Sequence, residues 1–165
     1  MVNTIIVCSI VAIALFCIWY FNKNTVFIKI RKGEIASFKS TMELIGLPII
    51  TFYSGEKKYH FLIDTGSNYS YLERSVDITK KVVEGSEDVF YGSAGVEQKS
   101  ISAEIELHYN KAKYPCVVKV ADLKEAFSKV KEEIGITISG ILGTDFLNKF
   151  KYCIDFKEQV IYARK

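Results

Sequence analysis

An uncharged apolar run at the amino end constrains the fold of this chain most strongly. From Ile5 to Phe21, seventeen residues carry only one polar interruption, Ser9, and no charge. All 22 basic and all 19 acidic residues of the 165-residue chain follow Phe21. A helix of this length reaches roughly 25 Å, close to the thickness of a bilayer core. The pattern therefore predicts a transmembrane anchor over residues 2–21, followed by a single water-exposed domain.

Two other interpretations of this run are weaker. A cleaved signal peptide would show a basic start and a small-residue cleavage site, and the run has neither feature. A buried core helix is disfavoured because a domain of this size rarely encloses a helix that is apolar on every side. In addition, Trp19, Tyr20 and Phe21 stand where an interfacial aromatic belt belongs. We therefore expect an anchor that stays attached to the domain.

Charge next to the anchor predicts which side of the membrane carries the domain. Lys23, Lys29, Arg31 and Lys32 follow the anchor, whereas only the amino terminus precedes it. This asymmetry favours a single-pass protein with its domain on the cytoplasmic side. The short amino end leaves the outward orientation open. The net charge of +3 is too small to suggest a nucleic-acid partner, because such proteins usually carry a concentrated basic face.

Hydrophobic patterning beyond the anchor predicts a mainly β domain with one amphipathic helix. The helix runs from Leu123 to Ile134, with a start resembling a capping box at Asp122 and Glu125 and an end at Gly135. The expected division is a connector over residues 22–46 and a folded domain over residues 47–165. The predicted strands are Val26–Ile30, Pro48–Tyr53, Tyr59–Ile63, Val89–Tyr91, Val96–Leu107, Tyr114–Val120, Ile136–Leu142, Tyr152–Phe156 and Val160–Tyr162.

One segment combines a strand with residues that can carry chemistry. Phe61, Leu62 and Ile63 lead directly into Asp64, which Thr65-Gly66-Ser67 follows. Burying a carboxylate beside a strand is costly unless the charge is hydrogen-bonded. Such a group can hold a water molecule and take its proton when a second carboxyl supplies the acid. Taken without its context, Asp64-Thr65-Gly66 can also be interpreted as an ordinary turn with a local side-chain hydrogen bond.

Two later segments add context to this turn. The glycine-containing turn Gly92-Ser93-Ala94-Gly95 lies between two predicted strands, and Gly140-Ile141-Leu142-Gly143-Thr144-Asp145-Phe146-Leu147 follows the helix. Together with Asp64-Thr65-Gly66, they make residues 47–162 resemble the retropepsin-like aspartic proteases, the single-domain relatives of the pepsins. The resemblance implies a closed β-barrel forming one half of an acid protease, a glycine-tipped flap hairpin, and a strand crossing beneath the active-site loop.

The resemblance also implies roles for particular residues. Asp64 would be the catalytic aspartate, and Thr65, Gly66 and Ser67 would support its loop. Gly143 would belong to the strand beneath this loop, and Asp145 would cap a helix without being a second catalytic residue. The substrate-binding flap would comprise Tyr91, Gly92, Ser93, Ala94 and Gly95.

A single Asp-Thr-Gly supplies only half of an aspartic protease site, because that mechanism needs two facing carboxyls sharing a proton. A homodimer contributing Asp64 twice is the simplest completion, although a different protein could supply the second half. The expected activity is hydrolysis of polypeptide substrates without metal or organic cofactor. The alternatives are a catalytically silent retropepsin-like module for dimerisation or peptide binding, and an anchor subunit with no peptide site.

Two finer expectations concern hydroxyl and thiol groups. The Ser67 hydroxyl is expected to donate a hydrogen bond to the Asp64 carboxylate, which would lower the pKa of the pair of carboxyls. The other interpretation is that Ser67 only caps the turn. Cys116 and Cys153 lack the spacing of a common zinc site, and the sequence leaves open whether they form a disulfide or are buried free thiols.

Overall fold

The computed structural model of the chain describes residues 32–91 and 97–164. The predicted anchor and the predicted strand Val26–Ile30 lie outside these residues. Among the helices within them, none has the length and apolar character needed to cross a membrane. The helices are α1 (Lys39–Ile45), α2 (Lys124–Ile134) and α3 (Thr144–Lys149). The strands are β1 (Lys32–Ser37), β2 (Ile49–Ser54), β3 (Lys57–Ile63), β4 (Tyr71–Glu73), β5 (Lys81–Val82), β6 (Asp88–Tyr91), β7 (Glu97–Tyr109), β8 (Ala112–Ala121), β9 (Ile138–Leu142), β10 (Tyr152–Asp155) and β11 (Val160–Arg164).

Six of these strands close into a barrel, which confirms the prediction of a mainly β fold with a closed barrel. The order around the barrel is β2, β3, β9, β4, β8 and β7, and pairing of Tyr53 in β2 with His108 in β7 closes the ring. Alternation along β7 sets its inner face, because Ala103, Ile105 and Leu107 are buried. The intervening residues point outward, as period-two geometry requires.

Aromatic side chains fill one end of the barrel interior. The Phe52 ring lies 5.5 Å from that of Tyr114 and 5.8 Å from that of Phe146, measured between centroids. Edge-to-face pairs of this kind add to the free energy gained by burying the rings. Phe146 belongs to α3, so this short helix is fixed to the barrel by its own core residue.

Helix α2 packs on the outside of the barrel. Its Phe127 is buried with Leu123, Ile138 and Ile49 in a second apolar cluster. The helix ends where the sequence predicts, since Gly135 adopts a φ of 71° and its N–H bonds to the Lys131 carbonyl. The predicted capping box does not form, because Leu123 occupies the cap position and no side chain caps the helix there.

Residues 32–45, which fall in the predicted connector, carry β1 and α1. Strand β1 pairs with β11 in a three-stranded sheet, and Phe38 joins the barrel core with 1% of its surface exposed. The local pattern there gives only a weak strand signal, so pairing with a strand more than a hundred residues later stabilises β1. Part of the connector is therefore integral to the folded domain.

Cys116 and Cys153 are free thiols in the described part of the chain, Cys116 buried and Cys153 half-buried. Burial raises the pKa of the Cys116 thiol to about 12, because an apolar environment disfavours the thiolate. Cys116 therefore behaves as a small core residue.

Candidate functional site

Parallel pairing brings the two motif segments together. Strand β3 pairs in parallel with β9, with Ile63 opposite Leu142, so the carboxyl ends of both strands lie at the same edge of the barrel. Asp64 follows β3 and Gly143 follows β9. The ladder continues one step further, because the Asp64 N–H donates to the Leu142 carbonyl at 3.1 Å. The Asp64 turn is thus fixed to the neighbouring strand.

The Asp64 carboxylate is half-buried and held within its own turn. Its Oδ1 atom accepts a hydrogen bond of 2.8 Å from the Gly66 N–H, and the Ser67 N–H donates to the Asp64 carbonyl at 3.2 Å. A Cβ atom at position 66 would lie 3.2 Å from this Oδ1, a tight contact. Glycine at position 66 therefore lets the backbone amide reach the carboxylate without crowding it.

Gly143 lies directly beneath the active-site loop, which we define as residues 64–70. A Cβ atom added at position 143 would stand 2.5 Å from the Tyr69 carbonyl oxygen and 2.7 Å from that of Ser67. These are backbone atoms, so they could not move without shifting the loop. The next residue completes the contact, because the Thr144 N–H donates to the Ser67 carbonyl at 2.9 Å. Only glycine allows this close approach.

A second fixation point joins Ser70 to Asp145. The Asp145 carboxylate accepts hydrogen bonds from the Ser70 N–H at 2.9 Å and from the Ser70 hydroxyl at 2.6 Å. The Ser70 oxygen in turn accepts the Gly143 N–H at 3.0 Å. Asp145 also accepts the Phe146 N–H at 2.6 Å. The prediction that Asp145 caps the helix is wrong, because Gly143 occupies the cap position of α3 and no side chain caps it. Asp145 lies in the first turn of α3 and fixes the end of the active-site loop.

The prediction that the Ser67 hydroxyl donates a hydrogen bond to Asp64 is wrong. The Ser67 hydroxyl donates to the Tyr69 carbonyl at 2.7 Å, because the loop turns back after Asn68 and brings this acceptor closer. Ser67 still supports the loop, through the hydroxyl bond to Tyr69 and through its own carbonyl, which Thr144 binds. The turn-capping interpretation of Ser67 is the one that this geometry favours.

Four residues of this loop are exposed in the single chain: Thr65, Gly66, Asn68 and Tyr69. The exposed fraction of the Tyr69 surface is 52%. The loop therefore presents an open surface around the Asp64 carboxylate. Among the described side chains, Lys119 contacts this surface at the Tyr69 ring. A carboxylate in this position is accessible to water, to a peptide and to a second copy of the loop.

Strands β6 and β7 form the hairpin in which the flap is predicted. They pair from Asp88 with Ser100 to Tyr91 with Glu97, so Tyr91 ends the first strand. The predicted flap tip, Gly92, Ser93, Ala94 and Gly95, lies outside the described residues.

Lys119, which no sequence pattern singles out, links this hairpin to the loop of residues 64–70. Its ammonium group lies 4.1 Å from the centroid of the Tyr69 ring and forms an ion pair with Asp88. Burial alone would lower the pKa of Lys119, but the hydrogen bond and attraction of the Asp88 carboxylate outweigh it and raise the pKa. The same hydrogen bond lowers the pKa of Asp88. This pair holds the start of β6 beside Tyr69.

The loop presents one carboxylate, that of Asp64, to solvent. Among the contacts of the described residues, no second carboxyl group lies beside it. In the described part of the chain, no group of three or more His, Cys, Asp or Glu side chains is placed to hold a metal ion. Chemically, Asp64 can accept a proton from a bound water, and a further carboxyl group would be needed to donate one. Comparison of the chain with protein-family models and with curated proteins finds no match.

Proposed function

We propose that this protein is a retropepsin-like aspartic endopeptidase that is anchored in a membrane by residues 2–21. The observation that carries the proposal is the Asp64 carboxylate, half-buried at the end of β3 and bound by the Gly66 amide. Three features support it: the close approach of Gly143 to the loop, the Ser70–Asp145 contacts and the β6–β7 hairpin.

The proposed site is completed by Asp64 of a second copy of the chain. Two such carboxyls facing one water molecule share a single proton, because adjacent negative charges disfavour joint ionisation. One carboxylate then takes a proton from the water molecule, and the water oxygen attacks the peptide carbonyl carbon. The other carboxyl donates its proton to the carbonyl oxygen. The tetrahedral diol then collapses: the first carboxyl gives the proton taken from water to the amide nitrogen, the second carboxylate takes a proton back from a diol hydroxyl, and the C–N bond breaks. The products are a carboxylic acid and an amine.

The test is hydrolysis of a peptide library by the full-length chain, compared with its Asp64→Asn variant. The substitution preserves the size of the side chain and removes its ability to act as a base. We expect turnover to fall by at least about a thousandfold, because general-base catalysis contributes factors of this order. Glu158→Gln is a control that makes the same acid-to-amide change at an exposed position in the turn between β10 and β11, and it should keep full activity.

Equal turnover by the wild type and Asp64→Asn would exclude the protease assignment. Absence of hydrolysis by a dimeric wild-type protein would instead favour the catalytically silent module. Thermal unfolding of both variants distinguishes a loss of chemistry from a loss of fold. The control must unfold at the wild-type temperature for the comparison to count.

A further inference from the structure

A groove runs beside the start of the β6–β7 hairpin. Its first part is a cavity of about 820 Å³ with an apolar floor made by Val89, Ile101 and Val120. The side chains of Arg74, Lys80 and Lys99 line the same cavity. Val89 is 45% exposed, so this floor is accessible from solvent. Apolar surface next to several cations is the composition of a site for an amphipathic anionic ligand.

The groove continues past these cations toward α2. A second cavity, of about 670 Å³, shares Arg74 and Lys99 with the first and reaches Lys124 and Ser128. We call the two cavities together the basic groove. The second part is polar and also contains Asp122 and Glu125, so positive charge is concentrated at the junction of the cavities. Because the two cavities share Arg74 and Lys99, a ligand that occupies both has to be extended.

Backbone carbonyls hold two of the three cations Arg74, Lys80 and Lys99 in place. Arg74 donates from Nη2 to the Lys99 carbonyl at 3.3 Å, and the Lys80 ammonium donates to the Arg74 and Val76 carbonyls at 3.4 and 3.3 Å. The ion pairs formed by the described side chains involve none of these three cations. Arg74 and Lys80 are therefore held in position without an ion pair, and the Asp77 carboxylate attracts Lys80 without pairing with it.

The acidic residues of the first cavity do not offset this charge. Asp88 is bound to Lys119, which leaves Glu87 as the other carboxylate lining that cavity. Three cations facing one such carboxylate make the first cavity net positive. Incoming carboxylates would gain attraction there while apolar side chains cover the floor.

We infer that the basic groove binds an extended polypeptide segment in which acidic side chains flank an apolar one. A fatty acid fits less well, because its single carboxylate would face three cations and its tail would meet a polar second cavity. A peptide places one apolar side chain on Val89 and Ile101 and its carboxylates on Arg74 and Lys99. The groove lining does not include Asp64, so this binding goes beyond the proposed hydrolysis and does not depend on it.

The experiment measures binding of a fluorescent peptide to the full-length Asp64→Asn protein, so that hydrolysis cannot interfere. The probe is a short peptide of alternating Glu and Val, and its control has Gln in place of Glu. We expect the acidic peptide to bind at least about tenfold more tightly, and added salt to weaken its binding. Lys99→Glu should reduce the affinity for the acidic peptide about tenfold and leave that for the control peptide unchanged.

Two controls make the inference falsifiable. Lys111→Glu changes the charge equally in the exposed β7–β8 turn and should leave acidic-peptide binding unchanged. Val89→Asp should also reduce binding, because it places a carboxylate on the apolar floor. Equal affinities for the two peptides, or equal losses in Lys99→Glu and Lys111→Glu, would overturn the inference. So would saturable binding of oleate in the groove without binding of the acidic peptide.

Discussion

The chemistry proposed for Asp64 depends on residues that do not touch the reacting atoms. Asp145 and Ser70 lie at the far end of the active-site loop, and Gly143 lies beneath its middle. Each of them limits where the loop backbone can be, and the loop backbone in turn fixes the carboxylate through the Gly66 amide. At the scale of single residues, position and proton transfer are therefore separate roles, and substitutions should separate them.

Asp145→Asn tests the positioning role. The amide nitrogen of Asn cannot accept a hydrogen bond, so the Ser70 or Phe146 donors lose an acceptor. We expect the free energy of unfolding to fall by about 1–3 kcal/mol and kcat/KM of the folded fraction to fall by about tenfold or more. Peptide hydrolysis and chemical denaturation, measured on the same preparation, give the two quantities.

Asp155→Asn is the matched control for this prediction. The Asp155 carboxylate also accepts backbone N–H groups, from Lys157 at 3.1 Å and Glu158 at 3.0 Å, but in the β10–β11 turn. Both bonds go to the same oxygen, Oδ1, which Asn retains, so this variant should keep its stability and its kcat/KM. If Asp145→Asn and Asp155→Asn lowered kcat/KM equally, Asp145 would have no special link to the loop.

At the scale of strands and helices, the sequence pattern predicts the elements with strong periodicity and misses those stabilised only by tertiary contacts. Strand β7 alternates clearly, and helix α2 has helical spacing and a terminal glycine, so both are found. Strand β4 has three residues between two loops and gives no periodic signal, yet it pairs with β8 and β9. Likewise, the Ser70–Asp145 contact joins residues 75 positions apart, which no local pattern encodes.

Gly143→Ala tests the close packing of β9 under the loop. A Cβ atom at 2.5–2.7 Å from two backbone carbonyl oxygens forces the loop away, and overpacking of this kind typically costs about 1–3 kcal/mol. We expect a lower unfolding temperature together with lower peptidase activity. Gly66→Ala is the graded comparison, because its nearest atom is a side-chain oxygen that can rotate. An unfolding temperature of Gly143→Ala equal to that of the wild type would contradict the packing described.

Strand β3 should make stability depend on pH through His60. Burial, followed by the positive charge of Lys58, lowers the pKa of His60 below the ordinary histidine value of 6.5. The folded chain therefore binds this proton less tightly than the unfolded chain does. The stability contributed by neutral His60 is present above pH 6.5 and is lost as pH falls from there through the lower, folded pKa.

His60→Gln should remove this part of the pH dependence. Denaturant unfolding at several pH values between about 7 and 5 measures it. His108→Gln is the control, because it removes the chain's other histidine. This variant should still lose stability as the pH falls, to the extent that His60 causes the loss. A wild type and a His60→Gln variant with identical slopes of stability against pH would show that His60 does not titrate on unfolding in this range.

At the scale of the whole molecule, the closed barrel carries one candidate carboxylate, that of Asp64, on an exposed loop. The proposed mechanism needs two carboxyls and therefore a second chain. The exposed residues Thr65, Gly66, Asn68 and Tyr69 give a second copy access to Asp64. Closing a site by two-fold symmetry is the simplest use of a single motif. The proposed anchor would favour this association by confining both copies to one membrane, which raises their effective concentration.

The most direct measurement is the activity of mixed assemblies of wild-type and Asp64→Asn chains, co-expressed at known ratios as full-length proteins carrying different tags. Recovery of both tags together establishes that the two chains associate. If each site needs two Asp64 carboxyls, activity per chain falls as the square of the wild-type fraction, leaving about one quarter in an equal mixture. Activity proportional to the wild-type fraction, leaving about half in that mixture, would contradict the shared site.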